Sequence, residues 1–126
     1  MHLGKLAFAA HVAIETIPGI SFIARPEAHL PGCTPAAALI LRQYGGLLLA
    51  SSFVCLTVIA DSGLSTTTTQ LLAASLGSYH AWPFYRALAR IRSQGKQSSE
   101  LGGPWVHFLV HGVCLGLFVH AAVAGT

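Results

Sequence analysis

The chain has 126 residues, of which only 9% are charged and 53% are hydrophobic, and its formal net charge is +3. A soluble domain carries about 25% charged residues, because it must cover a water-facing surface. The composition therefore excludes an ordinary soluble enzyme and favours an integral membrane protein with one domain, residues 1–126. A very apolar soluble bundle is the alternative.

The basic residues do not indicate nucleic-acid binding, because most of them concentrate beside one apolar run. This cluster consists of Arg86, Arg90, Arg92 and Lys96. Such a window is typical of a cytoplasmic loop under the positive-inside rule. We therefore expect a membrane lipid or a hydrophobic small molecule as the partner, with other membrane proteins as the alternative.

The first apolar run covers about residues 3–24 and predicts a transmembrane helix. Its start resembles a signal peptide, but His11 and Glu15 interrupt the apolar core and no clear cleavage site follows. We therefore expect the helix to be retained, with a kink at Pro18. Residues 25–33, which contain two prolines and a glycine, predict a turn-rich loop.

The second predicted helix covers about residues 35–60 and contains one formal charge, Arg42. Thr34 followed by Pro35 is a typical helix start, and the apolar length is enough to cross a bilayer. A cation inside such a span is costly unless it is paired or hydrated, so we expect Arg42 to have a partner. Gly46, one turn further on, is expected to leave room beside the guanidinium.

Two more helices are predicted at about residues 66–92 and 104–124. The first begins with a threonine tract that is typical of a capped helix start. The second contains Gly112 and Gly116, a spacing that lets helix backbones approach closely. The expected fold is all-α, an integral membrane bundle of four transmembrane helices. Charge bias places the loop containing Arg25 and the basic cluster in the cytoplasm and both termini in the lumen.

Depth counting predicts a shared polar layer in the cytoplasmic half of this bundle. At about 1.5 Å per residue, one ionisable group from each helix lies roughly 9–13 Å below the cytoplasmic ends. These groups are Glu15, Arg42, His80 and His111. His11 and His107 lie four residues from Glu15 and His111, so each shares a helix face with its neighbour.

One hypothesis is an acid–base site for isomerisation or cyclisation of a lipid or isoprenoid-derived molecule. The predicted catalytic residues are Glu15, Tyr79, His80 and His111. The predicted substrate-binding residues are His11, Arg42 and His107. Glu15 would donate or accept the proton, Tyr79 would donate a hydrogen bond, and Arg42 would hold an oxyanion or carboxylate.

The other hypothesis is a non-catalytic tether that gathers other membrane enzymes. In that case a buried ion pair between Glu15 and Arg42 would only fix which helices pack together. The sequence leaves open whether the chain is an enzyme. The two hypotheses differ in the effect of removing Glu15. Its removal would stop a reaction under the first hypothesis and weaken folding under the second.

No cofactor is expected. The alternative is haem or a metal ion bound through His80, His107 and His111, because two histidines four residues apart on a helix have metal-ligand spacing. Three widely spaced cysteines form neither a disulfide framework nor a zinc pattern. They are Cys33, Cys55 and Cys114, which we interpret as small apolar side chains that fill space between helices.

One stretch of the second helix resembles a known family. Arg42-Gln-Tyr-Gly45, followed by residues 49–56, is similar to a helix of the small fungal and animal protein that scaffolds sterol C4-demethylation enzymes in the endoplasmic reticulum. The chain also resembles small four-helix membrane proteins of fungi. The resemblance implies a tether, no catalytic residues, and a location in the endoplasmic reticulum.

Overall fold

The structure, a computed structural model, describes residues 3–94 and 103–124 and is helical through most of that part of the chain. Its helices are α1 (Leu3–Ala24), α2 (Pro26–His29), α3 (Pro35–Ala60), α4 (Thr66–Gln94) and α5 (Pro104–Ala124). The four long helices agree with the predicted ones. The single turn α2 lies in the segment expected to be a loop. Lys96 of the basic cluster lies outside the described residues.

Local side-chain contacts explain where the long helices begin and end. Thr34 caps α3 by accepting a hydrogen bond from the Ala37 N–H at 3.2 Å, as its sequence predicts. Ser65 caps α4 in the same way. At the other end of α3, the Lys5 ammonium donates to the Ile59 carbonyl at 3.0 Å, where a cation also favours the helix dipole.

Three described helices are long and apolar enough to cross a membrane: Gly4–Ala24, Pro35–Ala60 and Pro104–Ala124. Large apolar side chains such as Ile17, Phe53 and Val123 are mostly exposed, which suits contact with lipid tails. α4 is not apolar enough to be counted with them, because hydroxyl and basic side chains interrupt its apolar sequence. Three of the four predicted spans are therefore supported.

The long helices form two closely packed antiparallel pairs, α1 with α3 and α4 with α5. A looser contact between α1 and α5 joins the pairs, where the Phe8 and Phe118 rings meet edge to face with centroids 5.4 Å apart. Phe8 and Phe118 belong to an apolar core at the end of the bundle where α1 begins and α5 ends. The other core residues are Ala7, Cys55, Val58, Ala73 and Ala121. Cys55 and Cys114 are fully buried and free, as expected of apolar filling residues.

Glycine lets α1 and α3 approach each other closely. A Cβ atom on Gly45 would lie 2.6 Å from the carbonyl oxygen of Gly19, too close for any side chain. Gly46, by contrast, is exposed and would meet nothing within 4 Å. The expectation that Gly46 makes room beside a guanidinium is therefore wrong, and the close helix contact belongs to Gly45.

The α4/α5 pair uses glycine and aromatic rings. Gly112 lies against the Phe84 ring, which also stacks on Phe108 with centroids 4.7 Å apart. Gly77 contacts Phe118 further along the pair, so α4 runs beside α5 over much of its length. A Cβ atom on Gly116 would meet nothing within 4 Å, so only the first glycine of the predicted spacing makes a close contact.

Adjacent glycines on α3 give a matched test of this packing. Gly45→Ala should destabilise the folded bundle by about 1–3 kcal/mol, because α1 and α3 must move apart. Gly46→Ala should be neutral or stabilising by up to about 1 kcal/mol, since alanine favours a helix and the position is open. Thermal unfolding of the two variants in the same detergent measures the difference. Equal melting temperatures would contradict the Gly19–Gly45 contact.

Candidate functional site

Four histidines from three helices form a continuous chain across the bundle. His11 Nδ1 lies 2.9 Å from His80 Nε2, and His80 Nδ1 lies 2.9 Å from His111 Nδ1. The chain continues from His111 Nε2 to His107 Nδ1 at a longer 3.5 Å. At its other end, His11 Nε2 lies 2.9 Å from the hydroxyl of Ser51 on α3. The chain therefore joins the α1/α3 pair to the α4/α5 pair.

The backbone of α3 fixes the direction of these hydrogen bonds. The Ser51 hydroxyl donates to the Leu48 carbonyl at 2.8 Å, so its oxygen accepts from His11 Nε2–H. A neutral imidazole has one donor and one acceptor, so His11 Nδ1 must accept from His80 Nε2–H. By the same rule, His80 Nδ1 accepts from His111 Nδ1–H. With every ring neutral, all donors point toward α3.

Glu15 lies beside the middle of this chain. Its side chain is only 4% exposed, and Oε1 lies 3.7 Å from His111 Nδ1 and 3.9 Å from His80 Nδ1. Within the described residues, Oε1 has no hydrogen-bond partner. Leaving a buried acceptor unsatisfied costs about 1–3 kcal/mol, so this carboxyl is placed for something other than a fixed internal hydrogen bond.

Arg42 is not part of this group, so the expectation that it pairs with Glu15 is wrong. Its side chain is exposed, and the basic side chains within 4 Å of the Glu15 carboxyl in the described part of the chain are His80 and His111. Counting residues along α3 gives the depth of Arg42 but not the side of the helix on which it lies. Leu41 lines the cavity beside Glu15, and Arg42 is turned about 100° away from it.

Glu15 faces a small cavity of about 120 Å³ between the two helix pairs. The cavity is lined by Glu15, Phe22, Leu41, Tyr44, Leu48, Tyr79, Arg86, His107 and His111. Arg86, which the sequence analysis treated only as part of the cytoplasmic basic cluster, contributes the cationic side chain. The Tyr44 and Tyr79 hydroxyls are hydrogen-bonded at 2.7 Å and join α3 to α4.

Two larger apolar grooves adjoin this cavity on opposite sides. One, of about 400 Å³, lies between α1 and α5 and shares Glu15, His107 and His111 with the cavity. The other, of about 420 Å³, lies between α3 and α4 and shares Tyr44, Tyr79 and Arg86, among others. Both grooves have mainly apolar walls, which suits a lipid tail. A molecule lying in either could place a polar group near Glu15.

The structure brings together six of the seven predicted site residues. These are His11, Glu15, Tyr79, His80, His107 and His111. His120, near the end of α5, is exposed and is not part of this group. Ser51 and Tyr44 were not predicted. The spacing of Leu41, Tyr44, Leu48 and Ser51 along one face of α3 was the available signal.

Several of these side chains are also metal-ligand types. His11, Glu15 and His80 are all buried and offer ligand atoms within 4.8 Å of one another. The atoms of Glu15, His80 and His111 are closer still, at 2.9–3.9 Å. Nitrogen and carboxylate oxygen together suit a transition metal rather than calcium or magnesium.

Neighbouring serines on α3 test the direction of the histidine chain. Ser51→Ala removes the acceptor of His11 Nε2–H and should cost about 1–3 kcal/mol of stability. Ser52→Ala is the control, because the Ser52 hydroxyl is buried without a partner among the described residues and its loss should be neutral or stabilising. Thermal unfolding measures both. A Ser51→Ala protein as stable as Ser52→Ala would contradict the assigned chain.

Comparisons with known proteins do not assign the chain. No family model, curated protein or solved structure matches it. The resemblance of residues 42–56 to the sterol scaffold family stays a prediction. The function is therefore argued from the geometry between the two helix pairs.

Proposed function

We propose that this multi-pass membrane protein is an enzyme that performs acid–base chemistry on a lipid or isoprenoid-derived molecule, either an isomerisation or a cyclisation. The observation that carries the proposal is the Glu15 carboxyl. It is buried, it has an oxygen without a hydrogen-bond partner in the described part of the chain, and it faces a cavity. Intramembrane ionisable groups are costly, and their usual justification is function.

The arrangement suits a proton transfer that needs no redox partner. In an isomerisation, the Glu15 carboxyl gives its proton to one carbon of a double bond and an imidazole removes a proton from the allylic carbon. In a cyclisation, the same proton addition is followed by formation of a carbon–carbon bond and loss of a proton from the product. In both cases one proton is gained and one is lost, so the chemistry balances.

His111 is the imidazole placed to accept the lost proton. It lies against Glu15 and lines the same cavity, and the histidine chain connects it to His80 and His11. A proton on this chain can then return to Glu15 for the next turnover. His11 and His107 act in this proton transfer rather than in the substrate binding that the sequence suggested.

The polar part of the substrate is held by the side chains on the α3/α4 side of the cavity. Arg86 and one of the Tyr44 and Tyr79 hydroxyls, the one that accepts from the other, are donors suited to a carbonyl, hydroxyl or carboxylate oxygen. The apolar tail lies in one of the two lateral grooves, so the substrate enters from the bilayer. The polar cavity is small, which favours a compact head group.

A tether remains the competing function, supported by the many exposed apolar side chains that another membrane protein can cover. A tether gives no reason for a carboxyl oxygen that lacks a hydrogen-bond partner among the described residues to lie beside a cavity. The acid–base function is therefore the better explanation of Glu15.

We also place α4 across the membrane as a fourth span, in the membrane of the endoplasmic reticulum. α4 runs antiparallel beside α5, which is itself apolar enough to cross. Its buried polar groups, Thr69 and His80, are turned into the bundle rather than toward lipid. Its cationic end lies at the cytoplasmic side under the positive-inside rule.

Glu15→Gln should abolish turnover while the protein still accumulates in membranes at a normal level, because glutamine keeps the shape but cannot donate an acidic proton. Cells that express the wild type should differ in their lipids and small metabolites from cells that lack it, and Glu15→Gln cells should resemble the latter. Glu27→Gln, a change on exposed α2, is the matched control and should behave as wild type. A Glu15→Gln protein that reproduces the wild-type metabolite pattern would exclude the catalytic role.

Four crossings put both termini on the same side of the membrane, whereas three crossings put them on opposite sides. Glycosylation acceptor tags fused to either end should therefore both be modified if both ends are lumenal. A tag inserted in the segment between α1 and α3 should stay unmodified. Modification of one terminal tag alone would show that α4 does not cross.

A further inference from the structure

We propose that Glu15, His80 and His111 bind one divalent first-row transition metal ion of the zinc or cobalt type. The proposal concerns what these three side chains hold, and it goes beyond the proposed reaction. It stands or falls on binding alone, whether or not the chain is an enzyme. The three ligands come from α1, α4 and α5, so an ion would join three helices from both pairs.

The distances between the three ligand atoms fit such an ion. His80 Nδ1 and His111 Nδ1 are 2.9 Å apart, and Glu15 Oε1 lies 3.9 Å from the first and 3.7 Å from the second. The point equidistant from the corners of this triangle lies about 2.1 Å from each atom, which is the bond length of zinc to imidazole nitrogen or carboxylate oxygen. No movement of the three helices is required.

The hydrogen bonds behind His80 prepare it for this role. Its Nε2–H donates to His11 Nδ1, so its Nδ1 carries the lone pair, which accepts from His111 Nδ1–H when no ion is bound. Ligating histidines usually donate their other N–H in this way, because that contact fixes the tautomer and the ring orientation. His11 is held in turn by Ser51, so the support reaches the backbone of α3.

His111 needs only a change of tautomer. As a ligand through Nδ1 it carries its proton on Nε2, which lies 3.5 Å from His107 Nδ1. His107 therefore becomes an acceptor in place of a donor. The ion replaces the His111-to-His80 hydrogen bond and gives Glu15 Oε1 the partner that the described side chains do not supply.

The ligand set indicates the class of ion. Two imidazoles and one carboxylate are typical of zinc and of other first-row divalent ions, and three protein ligands leave a coordination position open. Two of the three ligands, Glu15 and His111, line the cavity, so the open position is accessible to water or to a bound oxygen atom. Calcium and magnesium are disfavoured, because they prefer oxygen ligands.

Cobalt(II) is the probe, because its visible absorption bands report four- or five-coordinate binding. The full chain, purified in detergent and freed of metal with a chelator, should bind one equivalent of cobalt(II) with these bands and release it to zinc. Glu15→Gln, His80→Ala and His111→Ala should each weaken binding by at least about 100-fold. His11→Ala, which removes a supporting contact, should weaken it by about 10–100-fold.

His120→Ala is the matched control, since His120 is an exposed histidine on the same helix as His111 and should leave cobalt affinity unchanged. Absence of the visible bands in the wild type, or equal losses in His120→Ala and His111→Ala, would overturn the site. Full loss in His11→Ala with normal binding in His111→Ala would overturn the assignment of ligands. Glu15→Gln keeps the side-chain shape, so it tests binding even if a histidine variant fails to fold.

The cobalt result also bears on the acid–base proposal, because a Glu15 carboxylate that binds an ion has no proton to donate. A protein that binds no cobalt leaves the acid–base proposal intact, because Glu15 then faces the cavity as a carboxyl. A Glu15→Gln protein that keeps its activity excludes that proposal and leaves the binding measurement unaffected.

Discussion

The hydrogen bonds from His11 to His80 and from His80 to His111 are the interaction on which the arrangement of the four long helices depends. Each helix pair has its own glycine contacts and an apolar core around Phe8 and Phe118 is shared between the pairs, but apolar surface gives little reason for two pairs to associate in lipid. A buried imidazole there must find a partner within the protein, since the bilayer core offers none. The histidine chain supplies these partners across the boundary between the pairs, and so it holds α1 against α4 and α5.

The position of the candidate site follows from the way the two helix pairs meet. The pairs are close where the histidines meet and less close on either side, which leaves one polar cavity flanked by two apolar grooves. The contact of Gly19 with Gly45 brings α3 against α1 and thereby sets Tyr44 at the cavity and Ser51 against His11. Tyr44 and Tyr79 therefore both join the helix pairs and line the cavity.

Much of this could be predicted from the sequence, and the failures have one physical cause. Helix bounds follow from apolar length and from caps such as Thr34, which are local properties. The layer containing Glu15, His80 and His111 follows from counting residues along each axis. The predictions for Arg42 and Gly46 are wrong because counting residues gives the depth along a helix but not the side of the helix on which a residue lies. Arg86 was underrated for a related reason, since the reach of a long side chain does not appear in the position of its backbone.

The uniform direction of the histidine chain has a consequence for any proton that travels along it. Passing a proton from ring to ring exchanges the donor and acceptor nitrogen of each ring it crosses. In the histidine chain that results, every donor N–H points away from the Ser51 hydroxyl. This chain cannot carry a second proton in the same direction. It must first turn over, by ring rotation or by a return proton. Any proton that travels along the histidine chain must therefore be followed by a resetting step before another can travel in the same direction.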